Sequence, residues 1–105
     1  MLRIYSDCLG VVRYAGGLAK QIARSDADLA RQLRRAVTSI PLNVAEGSGV
    51  PGRNRKVRYA TALGSAREVR ACFDCADAMG YVDGHVEAEL DRLDKVIATL
   101  FKLTR

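Results

Sequence analysis

Apolar residues recur at alternating spacings of four and three along most of this chain, and that period is typical of α-helices that bury one face. Four such stripes are separated by short stretches of turn-forming residues. The stripes consist of Ile4, Cys8, Val11, Ala15, Leu18 and Ile22; Leu29, Leu33, Val37, Ile40 and Val44; Tyr59, Leu63, Ala66, Val69, Phe73 and Ala76; and Val86, Leu90, Leu93, Ile97 and Leu100. The pattern predicts an all-α chain of four helices.

Capping and turn residues set the expected helix boundaries. We predict a first helix of about twenty residues from Ile4, then helices over about residues 26–46, 55–79 and 86–105. The second helix contains Pro41, which predicts a kink, and the glycine-rich stretch from Gly47 to Gly52 is expected to end it. Gly16 and Gly17 suggest a tight helix crossing.

The whole chain, residues 1–105, is expected to form one domain, because its length and its 49% hydrophobic content suit a single core. Short connections place successive helices antiparallel, which predicts an antiparallel up-and-down four-helix bundle. The chain contains no run of about 18 apolar residues and does not begin like a signal peptide. We therefore expect a cytoplasmic protein with no membrane partner.

Positive charge is concentrated in the first two-thirds of the chain. Through Arg70 there are 13 Lys and Arg against 5 Asp and Glu, a net of +8, and the remainder has 4 against 7, a net of −3. This asymmetry favours a polyanionic partner, RNA or DNA, although a solvated basic face is the alternative. The candidate contacts are Arg31, Arg34, Arg35, Arg53, Arg55, Lys56 and Arg58.

Polar residues at helical spacing form a second constellation. Ser39, Asn43 and Glu46 share one face of the second helix, and Ser65 and Glu68 share one face of the third. Two hypotheses remain open. These residues form a network that fixes helix register or subunit packing, or Asn43, Glu46 and Glu68 surround a small site for a cation or a nucleobase.

No pattern of catalytic or metal-binding residues is present. Cys72 and Cys75 have Cys-x-x-Cys spacing, but a zinc site needs more ligands and a redox site needs the pair at a helix start, so we expect reduced thiols, no metal and no cofactor. His85, the sole histidine, is expected to be an exposed residue near a helix end. We expect no catalytic residues and no enzymatic activity.

Two motifs resemble a known family. The stretch from Ser39 to Gly49 reads SIPLNVAEGSG, and the stretch from Ala62 to Glu68 reads ALGSARE; QLRRA before them and MGYV after them fit the same pattern. Together they resemble the four-helix-bundle family named after proteins encoded in intervening sequences of large-subunit ribosomal RNA genes. The residues that carry the resemblance are Ser39, Pro41, Asn43, Glu46, Gly47, Gly49, Gly64, Ser65 and Glu68.

The resemblance implies an antiparallel bundle that assembles into a homopentameric ring. It also implies kinship with the accessory variability determinant of diversity-generating retroelements, which is basic, binds nucleic acid and partners a reverse transcriptase. The chain departs from the family pattern at the stretch from Val50 to Arg53, which replaces an arginine after the Gly-x-Gly, and at Arg70, where a glutamate is common.

We therefore expect a non-enzymatic, homo-oligomeric nucleic-acid-binding accessory protein, with the pentamer as the assembly. The alternative is a structural or adaptor oligomer that binds a protein partner and has no nucleic-acid role. A third hypothesis, an enzyme or metal protein that uses Cys72, Cys75 and Glu46, ranks last.

Overall fold

The computed structural model describes residues 3–105, and this part of the chain is all-α, without a β-strand. The prediction of an all-α four-helix bundle is confirmed. The helices are α1 (Arg3–Ile22), α2 (Ala27–Ser48), α3 (Gly52–Ala78) and α4 (Glu87–Leu103). Among the described helices, none is long and apolar enough to cross a membrane.

Each helix packs against the next one in the chain, and α4 packs against α1, so the four helices surround a common core. Hydrogen bonds show the relative direction of α2 and α3. Gly47, near the end of α2, accepts a hydrogen bond from Arg55 at the start of α3. Ser39, which lies earlier in α2, is hydrogen-bonded to Ser65, which lies later in α3. These two helices therefore run antiparallel.

The predicted stripes supply most of the core, and the buried hydrophobic residues outside them are Ala19, Ala30, Ala36, Ala62, Cys72, Val82 and Val96. Every residue of the first and third stripes is buried. The fourth stripe is only partly correct, because Val86 precedes α4 and is 56% exposed, whereas Val96 is fully buried. No charged side chain is buried among residues 3–105.

The stretch from Gly47 to Gly52 ends α2, as predicted, but Gly47 itself lies inside the helix. The helix continues through Ser48, and Gly49 forms the C-cap. Gly47 is buried, and a Cβ there would lie 2.6 Å from Cε1 of the Tyr59 ring. The close approach of α3 therefore requires glycine at position 47. The chain reverses direction further on, at Gly52, whose φ of +61° also favours glycine.

Gly16 and Gly17 do not mark a tight crossing within the chain. A Cβ at either position would meet no atom within 4 Å. Both glycines instead line an open groove between α1 and α2.

His85 is not an exposed end residue, because it joins three elements. Its Nε2 lies 2.9 Å from the Phe73 carbonyl oxygen and its Nδ1 lies 3.0 Å from the Tyr14 hydroxyl. Because a carbonyl only accepts, Nε2 carries a proton, and in the neutral imidazole Nδ1 then accepts from the Tyr14 hydroxyl. The Tyr14 oxygen in turn accepts from the Val86 N–H at 3.1 Å, so the start of α4 is tied to α1 and α3.

Tyr14→Phe is expected to lower the free energy of unfolding by about 1–2 kcal/mol, because it leaves His85 Nδ1 and the Val86 N–H without their partner. Urea denaturation followed by circular dichroism measures this change. Tyr5→Phe is the matched control, since Tyr5 packs partly buried against the core and its hydroxyl makes no hydrogen bond within residues 3–105. Equal stability of the two variants would contradict the proposed role of the Tyr14 hydroxyl.

Gly47→Ala and Gly17→Ala are expected to have opposite effects on stability. Alanine at position 17 enters open space and should raise the free energy of unfolding by about 0.5–1 kcal/mol through its helix propensity. Alanine at position 47 collides with the buried Tyr59 ring and should lower it by about 1–3 kcal/mol. Thermal denaturation of both variants tests the pair, and stabilisation by Gly47→Ala would disprove the contact.

Candidate nucleic-acid interface

The three arginines of α2 do not form one patch. Arg31 and Arg35, four residues apart, line a groove between α2 and α3. Arg34 is turned away from them and lines the groove between α1 and α2. The predicted cluster is therefore divided between two sides of the same helix.

Arg31 and Arg35 differ in their partners. Arg31 forms a salt bridge with Asp28 in the first turn of α2. Arg35 is exposed and has no carboxylate within 4 Å among the described residues. Of these two side chains, Arg35 keeps its whole charge available for a ligand.

Two of the four cations at the start of α3 have structural partners. Arg55 Nε donates to the carbonyl oxygens of Gly47 at 3.2 Å and Val50 at 2.9 Å, which satisfies a carbonyl at the C-terminus of α2 and holds the connecting turn. Arg58 forms a 3.1 Å salt bridge with Glu46. Arg53 and Lys56 are exposed, and neither has an acidic partner within the part of the chain that the structure describes.

The two predicted basic clusters lie at opposite ends of the α2–α3 pair. One end is marked by the contact between Gly47 and Arg55, and the other by the hydrogen bond between Gln32 and Glu68. Gln32 and Gly47 are fifteen positions apart in α2, and this separation corresponds to roughly 22 Å along the helix. A single copy of the chain thus presents two separate basic regions.

Ser39, Asn43 and Ser65 do come together, as a hydrogen-bonded network between α2 and α3. Asn43 Nδ2 donates to the Ser39 carbonyl at 2.9 Å and to Ser39 Oγ at 3.1 Å, and Ser65 Oγ lies 2.8 Å from Ser39 Oγ. All three residues are half-buried. A polar contact across the interface between two helices favours one register of the pair.

The two glutamates of the motif do not join that network. Glu46 pairs with Arg58, and Glu68 accepts from Gln32 at 3.3 Å, close to the other end of α2. Gln32 and Glu46 are fourteen positions apart in α2, which corresponds to roughly 21 Å along the helix. Asn43, Glu46 and Glu68 therefore do not surround a common site.

The remaining motif positions are structural or exposed. Pro41 is buried inside α2, Gly49 caps α2, and Gly64 is an exposed residue of α3 whose Cβ position is open. Arg70, which departs from the family pattern, forms salt bridges with Asp74 at 3.5 Å and Asp94 at 2.6 Å, and so links α3 to α4.

The structure adds Arg13 and Lys20, two cations that the sequence analysis did not single out. They line the same groove as Arg34, between α1 and α2. The available signal was their spacing, because Arg13, Gly17 and Lys20 are at i, i+4 and i+7 and share one face of a helix. Their separation in sequence from the arginines of α2 concealed the grouping.

The cysteines are in unlike environments. Burial raises the pKa of Cys8 to about 12, with a smaller contribution from Asp7. Burial also raises the pKa of Cys72 to about 11, with a smaller contribution from Glu68, whereas Cys75 is exposed. Across residues 3–105 no group of three or more His, Cys, Asp or Glu is placed to hold a metal ion.

The comparisons with known proteins agree with this fold. Residues 2–103 match the model of a family described as 23S rRNA-intervening sequence protein. A solved structure of a protein of unknown function from the S23 ribosomal protein family of Bacteroides thetaiotaomicron is similar, with a TM-score of 0.85 over 97% of this chain and 98% of that one. At 17% identity this likeness shows the fold alone. None of the curated proteins matches the chain.

At pH 8, one thiol per folded chain is expected to react rapidly with a disulfide reagent such as dithionitrobenzoate, because the thiolate is the nucleophile and Cys8 and Cys72 are buried with raised pKa values. The other two thiols should react only after unfolding in guanidinium. Absorbance of the released thiolate counts the reacting groups. Cys75→Ser should abolish the rapid reaction, and persistence of a rapid thiol in that variant would contradict the assignment.

Proposed function

The chain belongs to the 23S rRNA-intervening sequence protein family, and from this premise we propose that it is a non-enzymatic, nucleic-acid-binding accessory protein that acts as a homo-oligomer. The expected assembly is the homopentamer that the family resemblance implies. Its expected ligands are RNA or DNA, and its expected protein partner is a reverse transcriptase.

The observation that carries the proposal is a set of exposed cations that have no carboxylate partner in residues 3–105. Among the predicted contacts these are Arg34, Arg35, Arg53 and Lys56. Phosphate groups of a nucleic acid supply the missing negative charge, and neutralising them releases condensed counterions, which favours binding. The net charge of +5 adds a long-range attraction for any polyanion.

Self-association supports this function because each chain presents its free cations in two separate regions. The regions at the two ends of the α2–α3 pair lie roughly 22 Å apart along the helices. In a closed oligomer each region is repeated once per subunit. Several weak phosphate contacts on one assembly then add by avidity to a binding strength that one copy lacks.

Exposed apolar side chains favour a second candidate function, that of an adaptor oligomer without a nucleic-acid role. Leu42 of α2 is 63% exposed and Val57 of α3 is 55% exposed. Where such groups form a contiguous patch they suit another protein or another copy of the chain, whereas single ones are common on protein surfaces. This alternative predicts an oligomer that is indifferent to RNA and DNA.

Replacing Arg34, Arg35, Arg53 and Lys56 with glutamine is expected to weaken binding of structured RNA and duplex DNA, because up to four phosphate contacts are lost. The magnitude of the slope of log K against log salt should fall by up to about 3.6, since each lost phosphate contact with a duplex contributes about 0.9. Fluorescence anisotropy at several salt concentrations measures both affinity and slope.

The matched control replaces Arg3, Arg24, Arg67 and Lys102 with glutamine. These four cations are also exposed and without a carboxylate partner among the described residues, so the change in net charge is the same. The control should keep the slope of the native chain. If the native chain fails to bind either nucleic acid at low salt, the adaptor function replaces this proposal.

A further inference from the structure

The groove between α1 and α2 combines an open floor with positively charged walls. Gly16 and Gly17 form part of its floor, and a Cβ at either position would meet no atom within 4 Å. Space of this kind above a helix backbone admits a ligand that side chains would otherwise displace.

Three cations line this groove, and none of the acidic residues in the described part of the chain does. Arg13 and Lys20 come from α1 and Arg34 comes from α2. All three are exposed, and none has a carboxylate within 4 Å in residues 3–105. The groove between α2 and α3, in contrast, includes Asp28 and Glu68. Of these two grooves, the α1–α2 groove is therefore the better suited by its charge to an anion.

The lining of the groove is mostly apolar, and its cations are spaced along it. Arg13 and Lys20 are seven residues apart, so they are separated by roughly 10 Å along α1, which is more than one phosphate group spans. Val12 and Val37 supply apolar surface beside the cations. Alternating anionic groups and less polar sugar rings are the pattern of a nucleic-acid backbone.

We propose that the α1–α2 groove binds the phosphodiester backbone of a single nucleic-acid strand, with Arg13, Lys20 and Arg34 contacting successive phosphates over the Gly16–Gly17 floor. A single strand fits because neighbouring packed helices lie only about 8–10 Å apart, which makes the recess between them narrow. This assignment rests on the proposed function. It places the contact with nucleic acid on the face formed by α1 and α2, to which α1 contributes Arg13 and Lys20.

The first test replaces Arg13 and Lys20 with glutamine, leaving every cation of the earlier four-residue variant intact. Its matched control replaces Arg3 and Lys102, which do not line the groove. With a fluorescein-labelled oligothymidylate or oligouridylate as the probe, the groove variant should bind about tenfold more weakly near 0.1 M salt. Its salt slope should fall by about 1.4, since each lost contact with a single strand contributes about 0.7. The control should bind as the native chain does.

The second test fills the groove without changing its charge. Gly17→Leu places a bulky side chain over the floor, whereas Gly17→Ala adds only a methyl group at the same position. Both residues favour helix more than glycine does, so neither variant should melt below the native chain. The leucine variant should lose affinity for the same probe by about as much as the charge variant, and the alanine variant should keep it.

The outcomes separate this inference from the proposed function. Loss of single-strand binding in both groove variants, with their controls unchanged, supports the groove. If both groove variants bind with native affinity, the groove assignment is wrong, and the contacts of the proposed function are then Arg35, Arg53 and Lys56. Failure of the native chain to bind any single strand, duplex or structured RNA overturns both.

Discussion

The Tyr59 ring lies directly over the backbone of Gly47, and this contact sets how closely α2 and α3 approach. The Ser39–Ser65 hydrogen bond and the two bonds from Arg55 then fix the register of the pair. Because a helix is rigid along its axis, that register determines which residues of α3 lie beside which residues of α2. The two basic regions are consequently held at opposite ends of the same helix pair.

The same packing decides which positive charges remain available. Arg31 pairs with Asp28, and Arg58 pairs with Glu46. Arg55 donates to the carbonyl oxygens of Gly47 and Val50. These interactions hold helix ends and neighbouring helices together. Exposed ion pairs of this kind contribute little to stability, but they reduce the attraction of each cation for a phosphate. Net charge therefore overstates the positive charge that is available to a polyanion. The free cations, not the total, define the faces on which a polyanion fits.

Most of the fold was predictable from the sequence, because apolar periodicity reports directly which face of a helix is buried. The sequence predicted less well those residues whose role depends on what packs against them. Glycine ends helices and also permits close approach, and only the position of Tyr59 shows that Gly47 does the second. His85 was expected to be exposed because it lies at a helix start, yet contacts with Tyr14 and Phe73 from distant segments bury part of it.

The sequence by itself determined the four helices, their buried faces, the excess of positive charge and the family motifs, since each of these is a local pattern of residue types. Tertiary structure alone decided that Arg34 joins Arg13 and Lys20, that Arg31 and Arg35 face the other groove, and that Glu46 and Glu68 are kept apart. The physical reason is that a site formed between helices depends on their register and rotation, which arise from side-chain packing between residues far apart in the chain.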